Sequence, residues 1–148
     1  GDQSVSSERF EGAHAAFREN NFNESSIKII HSDFQRQGGY DSCAELQKSF
    51  QPDGIFCMND QMALGVCLKL KEDDKINIGK DVRVIGFDDV VWASLVSPAI
   101  STICIDKVMM GKLCVQRLLA RIKDPQIPIL TTLMPPELVK RDTLINHS

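Results

Sequence analysis

The stretch FCMNDQMALG, residues 56–65, joins a short apolar run to a segment with helical spacing, and Asn59-Asp60 stands between them. Asn and Asp favour helix starts because their side-chain oxygens accept hydrogen bonds from unpaired backbone N–H groups. They also suit polar ligands, because a carboxylate accepts hydrogen bonds and an amide both donates and accepts them. The stretch therefore predicts a strand followed by a helix, and it leaves two roles open for the pair, a helix cap or a ligand contact.

The segments on both sides continue an alternation of helices and strands. Apolar and β-branched runs predict strands at 26–30, 54–58 and 81–87. Helical spacing predicts helices from a cap in SVSS (4–7) to about residue 20, over 40–50 and over 60–72. The run HSDFQRQGG (31–39) is rich in helix breakers and predicts a loop. This order predicts an α/β fold, an open and mostly parallel sheet flanked by helices.

The pattern changes after Pro98. ISTICI (100–105) predicts another strand, and Asp106 is the predicted cap of a helix with an apolar stripe at Val108, Gly111, Val115, Leu118 and Ile122. Such a stripe ordinarily packs on a core. KDPQIPI (123–129) ends this helix, and the following LTTLMPPELVKRDTL predicts one or two extended segments interrupted by Pro135-Pro136.

Composition limits the possible functions. The 148 residues, 43% of them hydrophobic, suffice for one core, and the net charge of -3 leaves no basic face for a phosphate backbone. Five cysteines without a C-x-x-C pair are typical of reduced thiols, which favours the cytoplasm. No apolar run is long enough to span a membrane, and we expect no membrane partner.

Catalysis is not expected. Asp88 and Asp89 are sequence neighbours that should point in opposite directions, so they are poorly placed for paired acid/base chemistry. His14 and His31 belong to no recognisable catalytic or metal-binding motif, and Cys57 lies on a predicted buried strand. We therefore predict no catalytic residue, no metal and no cofactor.

Side chains that can bind a polar ligand follow each of the first three predicted strands. Asp33, with the aromatic Phe34 beside it, follows the first strand, Asn59 and Asp60 follow the second, and Asp88 and Asp89 follow the third. Ligands of open α/β sheets bind at the carboxyl ends of the strands. Helix capping remains the alternative for each residue, but three coincident exits favour a site for a hydroxyl-rich ligand with an aromatic face beside it.

Several motifs together resemble one protein family. They are NDQMALG (59–65), VIGFDD (84–89), SPAISTI (97–103), MMGKLCVQRLL (109–119) and PPELVKRDT (135–143), with SVSSERFEG (4–12) before them. In this order and spacing they resemble the effector-binding core of the LacI/GalR family of bacterial transcription regulators. The resemblance covers nearly the whole chain.

The resemblance implies a fold similar to type I periplasmic binding proteins, in which two α/β subdomains close on a small ligand behind a helix-turn-helix domain. It places ligand contacts on Arg9, Asn59 and Asp88 and the stacking aromatic on Phe34. Trp92 is either a second aromatic wall or a packing residue at a hinge or interface. With Asn59 facing the ligand, Asp60 would mainly cap the helix.

The resemblance also implies a homodimer. The helix after Asn59 is apolar nearly all round, which fits either an interface or simple burial. The predicted interface residues are Leu64, Val66, Cys67, Leu68 and Leu95.

Three parts of the family's layout are assigned: 1–98 to the C-terminal subdomain, 99–130 to a segment returning to the other subdomain, and 131–148 to C-terminal strands and tail. The sequence holds no helix-turn-helix, and in that layout a helix and a central strand would precede residue 1. We therefore expect a C-terminal part of the core, incomplete at its N-terminus, whose open edges and apolar stripe promote self-association.

The predicted function is that of the effector-binding and dimerisation portion of a cytoplasmic transcription regulator. Its expected partners are a sugar or related metabolite, a second copy of the chain, and operator DNA only through an N-terminal helix-turn-helix domain. The alternative is a periplasmic sugar-binding receptor for transport, built on the same architecture. The thiols and the PPELVKRDT ending favour the regulator.

Overall fold

A computed structural model of the chain describes residues 3–145, which form four α-helices and four strands. The helices are α1 (Gln3–Glu19), α2 (Arg36–Leu46), α3 (Asp60–Leu70) and α4 (Lys107–Lys123). The strands are β1 (Gly54–Phe56), β2 (Arg83–Phe87), β3 (Ser101–Cys104) and β4 (Glu137–Val139). Short 3-10 helices occupy Glu24–Ser26 and Val91–Ser94.

The strands form one open sheet in the order β1-β2-β3-β4. The pairs β1–β2 and β2–β3 are parallel, and β3–β4 is antiparallel, with Gly86 opposite Thr102 and Ile103 opposite Leu138. The predicted open and mostly parallel α/β sheet is therefore confirmed. The first residues of the predicted 99–130 segment, as β3, lie inside this sheet.

The core lies between the sheet and the pair α2 and α3. From α3 it includes Ala63, Val66, Cys67 and Leu70, which pack with apolar residues of the sheet region such as Val84 and Ile100. Burying these side chains contributes roughly 1.5–3 kcal/mol for each of the larger ones. The carboxyl ends of β2 and β3 are thereby fixed against the start of α3.

The predicted loop at 31–39 is wrong in its second half, because α2 begins at Arg36 and includes Gly38 and Gly39. Gly39 allows close packing of α2 on α3, whereas Gly38 lies against the side chains of Ser32 and Asp33. A Cβ on Gly39 would lie 2.3 Å from the carbonyl oxygen of Met62, and one on Gly65 would lie 1.9 Å from that of Arg36. Tertiary contact, which sequence spacing does not reveal, keeps both glycines inside helices.

The predicted strand at 26–30 is also wrong. Glu24–Ser26 is a 3-10 helix capped by the Asn23 side chain, and the extended residues after it pair with no strand within residues 3–145. A β-branched run becomes a strand only where a neighbour supplies hydrogen bonds. The predicted cap in SVSS is wrong as well, since α1 already begins at Gln3.

Helix α4 begins as predicted, with Asp106 Oδ1 accepting a hydrogen bond of 2.8 Å from the Met109 N–H. Its apolar stripe does not pack on the core, because none of the helix's residues is buried. The exposed apolar side chains include Val108, Val115, Leu118 and Ile122. Core packing within this chain is therefore the wrong interpretation of the stripe.

Candidate functional site

The end of β2 carries two acidic residues in an uncommon backbone conformation. Asp88 and Asp89 have φ values of 105° and 48°, a region that side-chain-bearing residues seldom occupy. The Asp88 N–H donates to the Ile103 carbonyl (2.9 Å), which continues the ladder to the first residue of the turn. The turn sends the two carboxylates to different partners, Arg9 for Asp88 and Arg141 for Asp89.

Arg9 reaches this turn from α1. Its Nη2 lies 3.0 Å from Asp88 Oδ1, its Nη1 donates to the Met58 carbonyl at 2.6 Å, and its guanidinium carbon lies 3.8 Å from the centre of the Phe87 ring. An aromatic face below a guanidinium is a favourable contact. Two of the predicted ligand residues, Arg9 and Asp88, are therefore in direct contact.

Asn59, at the start of α3, contacts a further predicted ligand residue, Phe34. Its Oδ1 accepts from the Met62 N–H (2.8 Å), so Asn59 is the cap of α3, and its Nδ2 donates to the Phe34 carbonyl (2.9 Å). Phe34 itself has φ of 63°. The carboxamide carries two N–H groups, of which this geometry assigns one to Phe34.

The prediction that Asp60 mainly caps α3 is wrong, because the neighbouring Asn59 does so. Asp60 is 1% exposed, and its carboxylate accepts from the Thr102 hydroxyl (2.6 Å) and the Val90 N–H (2.9 Å). Burial raises the pKa of the Asp60 carboxyl; the hydrogen bonds from Thr102 and Val90 lower it, and the nearby carboxylates raise it. Asp60 therefore ties α3 to the turn after β2.

Two cations complete the surroundings of the turn. Arg141 Nη2 lies 2.7 Å from Asp89 Oδ1, and its Nη1 donates to the Ile100 carbonyl at 2.8 Å. Lys107, the first residue of α4, donates to the carbonyl oxygens of Asp88 and Asp89. Three cationic and three acidic side chains thus converge on this turn: Arg9, Lys107, Arg141, Asp60, Asp88 and Asp89.

Trp92 lies apart from this cluster, in the 3-10 helix after the turn. It lines a shallow depression of about 620 Å³ together with Leu64 of α3 and Val96. The depression's polar walls are Gln35, Arg36, Gln37 and Gln61. The structure therefore groups Trp92 with a predicted interface residue rather than with Arg9 and Asp88.

The predicted interface set divides in two. Val66 and Cys67 are 4% and 3% exposed and belong to the core, so their assignment to a dimer interface is wrong. Because α2 covers one side of α3 and the sheet covers another, much of the apolar surface of α3 is buried within the chain and is not available to a partner. Leu68 and Leu95 are exposed, at 42% and 77%, and Leu64 is half-buried.

Residues 3–145 show few features of a metal site, a reactive thiol or a membrane-spanning segment. No group of three or more His, Cys, Asp or Glu side chains there could hold a metal ion. The five thiols are unpaired, and burial raises the pKa of Cys43 to about 11 and that of Cys67 to about 12. Over the same residues, no helix has both the length and the apolar character needed to cross a membrane.

Sequence reasoning missed five groups that hold the predicted residues in place: the Phe87 ring, the Met58 carbonyl, Thr102, Lys107 and Arg141. Phe87 could have been found, because it directly precedes Asp88 at the strand end. The others come from distant parts of the chain, and no local spacing relates them to the turn.

Comparison with known families gives a match over residues 1–144 to the periplasmic binding protein-like domain. The ribose operon repressor of Haemophilus influenzae is 32% identical over 143 residues, which are 96% of this chain and 43% of that protein. The transcriptional repressor PurR of Vibrio vulnificus is 34% identical over 145 residues, again 43% of its length. The chain therefore spans less than half the length of these relatives.

Solved structures show the same likeness. A LacI-family regulator from Enterococcus faecium with bound ribose superposes with a TM-score of 0.84 at 27% identity, covering 94% of this chain and 51% of that one. A dimeric lac repressor with a C-terminal deletion superposes with a TM-score of 0.85 at 30% identity, covering 96% of this chain and 52% of the repressor chain. A lac repressor dimer bound to operator superposes with a TM-score of 0.83 at 29% identity, covering 93% of this chain and 47% of the repressor chain.

Proposed function

The chain belongs to the periplasmic binding protein-like domain family, and on that premise we propose that it is the effector-binding and dimerisation portion of a LacI-family transcription regulator. The effector is a sugar or a sugar-like metabolite. Its binding changes the DNA affinity of a helix-turn-helix domain in the complete polypeptide, which works in the cytoplasm. The Haemophilus influenzae and Vibrio vulnificus relatives are repressors, and one solved neighbour holds ribose.

The observation that carries this proposal is the contact between Arg9 and Asp88 above the Phe87 ring. The two residues lie 79 positions apart in the sequence, and their charged groups meet at the carboxyl end of β2. Vicinal sugar hydroxyls each donate and accept, so a guanidinium beside a carboxylate supplies both kinds of partner. Two charge-assisted contacts of this kind can orient one ring.

Asn59 and Phe34 form the second part of the proposed site. Asn59 is fixed by its two hydrogen bonds, so its remaining N–H group is held in one direction. The backbone carbonyl of Phe34 accepts one of these bonds, and the Phe34 ring is assigned to cover the apolar side of a sugar ring. A fixed amide adds affinity because little side-chain entropy is lost on binding.

Binding controls DNA affinity by linkage. An effector that contacts both subdomains binds the closed arrangement better than the open one, and this difference in affinity shifts the equilibrium between them. In the proposed assignment residues 1–98, strand β3 (Ser101–Cys104) and residues 131–148 supply one wall of the cleft, while the rest of the 99–130 segment returns to the other subdomain. The exposed stripe of α4 supports this assignment, because it needs an apolar partner.

The dimer forms through those members of the predicted set that lie outside the core. Leu64, Leu68 and Leu95 remain assigned to the interface, and Trp92 joins them because it shares the depression lined by Leu64. Aromatic and aliphatic side chains around a shallow depression are typical of interface centres.

The test is calorimetric titration of the complete polypeptide with D-ribose, followed by other monosaccharides. Asp88→Ala and Arg9→Met should each weaken binding by roughly tenfold or more, since each removes a charged hydrogen-bond partner. The exposed Asp74→Asn serves as a matched control and should bind as the unchanged protein does. Equal affinity in all four proteins would place the ligand elsewhere, and no binding of any sugar would contradict the effector class.

A further inference from the structure

Two consecutive N–H groups of the turn after β2 are held by one buried pair of side chains. The Val90 N–H donates directly to Asp60 Oδ2 at 2.9 Å. The Asp89 N–H donates to Thr102 Oγ1 at 3.3 Å, and that hydroxyl in turn donates to Asp60 Oδ1 at 2.6 Å. Both oxygens of Asp60 therefore act on this turn, one directly and one through Thr102.

The turn needs this support. Asp88 and Asp89 both have positive φ, which is unfavourable for residues with a side chain, so surrounding contacts must hold the conformation. Asp60 and Thr102 are almost inaccessible to water, with exposures of 1% and 0%, and water cannot replace their hydrogen bonds. A pair buried this completely constrains the backbone more firmly than an exposed ion pair would.

The neighbouring strand leaves room for the carboxylate. A Cβ on Gly86 would lie 2.2 Å from Asp60 Oδ1, a distance that no real contact allows. Gly86 pairs with Thr102 across the β2–β3 ladder, so the glycine, the threonine and the carboxylate lie side by side. The sheet is thus shaped to accept a carboxylate at this point.

From this arrangement we infer that Asp60 is a positioning residue, which acts with Thr102 to hold the Asp88–Val90 turn in the shape that presents Asp88 to the effector. The inference rests on the proposed function, because the effector contact of Asp88 is part of that proposal. Asp60 itself touches no ligand, since it is buried beneath the turn. Its position directly after Asn59 also fixes the turn relative to that second ligand residue.

Charged groups surround Asp60 on several sides. The carboxylates of Asp88 and Asp89 raise its pKa, and Arg9, Arg141 and Lys107 bind the same turn from three other parts of the chain. Asp60→Asn keeps the volume but replaces one acceptor with a donor, so either the Val90 N–H or the Thr102 O–H loses its acceptor at residue 60. Thr102→Val removes the hydroxyl at constant shape, and Thr102→Ser keeps it.

The experiment compares these three variants and the exposed control Asp74→Asn in the complete polypeptide. Amide hydrogen exchange reports on the hydrogen bonds from the turn to Asp60 and Thr102. Protection of the Asp89 and Val90 amides from exchange should fall in Asp60→Asn and Thr102→Val, and it should persist in Thr102→Ser and in the control. Unchanged protection of both amides in Asp60→Asn would overturn the inference. This readout needs no ligand.

Binding of D-ribose, measured by calorimetry, reports on positioning. Asp60→Asn should weaken binding by roughly tenfold, and it should add little further loss in an Asp88→Ala background, because both changes act through one contact. Fully additive losses, or unchanged affinity despite lower stability, would overturn a positioning role. If no protein binds D-ribose or another monosaccharide, the proposed effector class fails, and hydrogen exchange alone decides whether Asp60 holds the turn.

Discussion

Arg9 Nη2 lies 3.0 Å from Asp88 Oδ1, although 79 positions separate the two residues in the chain. This contact joins α1 to the carboxyl end of β2, where the Phe87 ring supports the guanidinium. Both side chains stay partly open to solvent, so the pair adds little to stability. Its value lies in presenting a donor group and an acceptor group side by side.

The close approach of α2 and α3 predicts opposite effects for two glycine substitutions. Gly65→Ala should lower the free energy of unfolding by about 1–3 kcal/mol, because the added Cβ would lie 1.9 Å from the Arg36 carbonyl oxygen. Gly12→Ala, in α1 with nothing within 4 Å, should raise it by about 0.5–1 kcal/mol. Urea unfolding of both variants measures this, and equal effects would contradict the packing of the two helices.

The buried thiols predict a loss of stability in alkaline solution. The pKa of Cys67 rises to about 12 in the folded chain against an ordinary value of 9.0, so the folded state keeps protons that the unfolded state releases. The free energy of unfolding should therefore fall as the pH rises above about 9. Urea unfolding between pH 8 and 10 measures the slope. The slope should flatten in Cys67→Ala and persist in Cys114→Ala, and identical slopes would contradict burial as the cause.

The proposed dimer predicts that Leu95→Lys weakens association. Leu95 is 77% exposed, so the charge should disturb an interface without disturbing the core. Sedimentation of the complete polypeptide should show a dimer dissociation constant raised by about tenfold or more, as for a contact at an interface centre. Leu133→Lys, at a residue that is 90% exposed and outside the assigned interface, is the control. Equal dimer affinity in the Leu95 variant would remove this residue from the interface.

The stripe of α4 predicts that the 148-residue chain alone self-associates. Its exposed apolar side chains, together with the groove of about 800 Å³ beside β1, leave apolar surface that a second copy can cover. Sedimentation velocity should show mass rising with concentration, and Val115→Lys with Leu118→Lys should reduce it. A monomer at high concentration would contradict this expectation.

The sequence predicted elements whose signals are local. Strands β1, β2 and β3 and the capped start of α4 follow from short apolar runs and from Asp106. It failed where the cause was distant. Gly38 and Gly39 are typical helix breakers, yet both lie within α2, and Gly39 allows that helix to pack closely on α3. Residues 26–30 have the pattern of a strand, but no strand lies beside them in the described part of the chain.

The site divides in the same way. Asp88 followed from its position at a strand exit, whereas Arg9 followed only from the family resemblance. For Asn59 and Asp60 the sequence allowed a cap or a ligand contact. In the structure Asn59 caps α3, and the buried Asp60 carboxylate accepts hydrogen bonds from Thr102 and Val90. Both of these partners are distant from Asp60 in the sequence, so local spacing could not reveal them.

The most direct test of the proposed site is a crystal structure of the complete polypeptide grown with D-ribose, or with the monosaccharide that binds best in the titration. We expect sugar hydroxyls within hydrogen-bond distance of the Arg9 guanidinium and the Asp88 carboxylate, with Asn59 at the same ligand. A sugar bound elsewhere, with the Arg9–Asp88 pair unchanged and out of reach of it, would show that the proposed site is wrong.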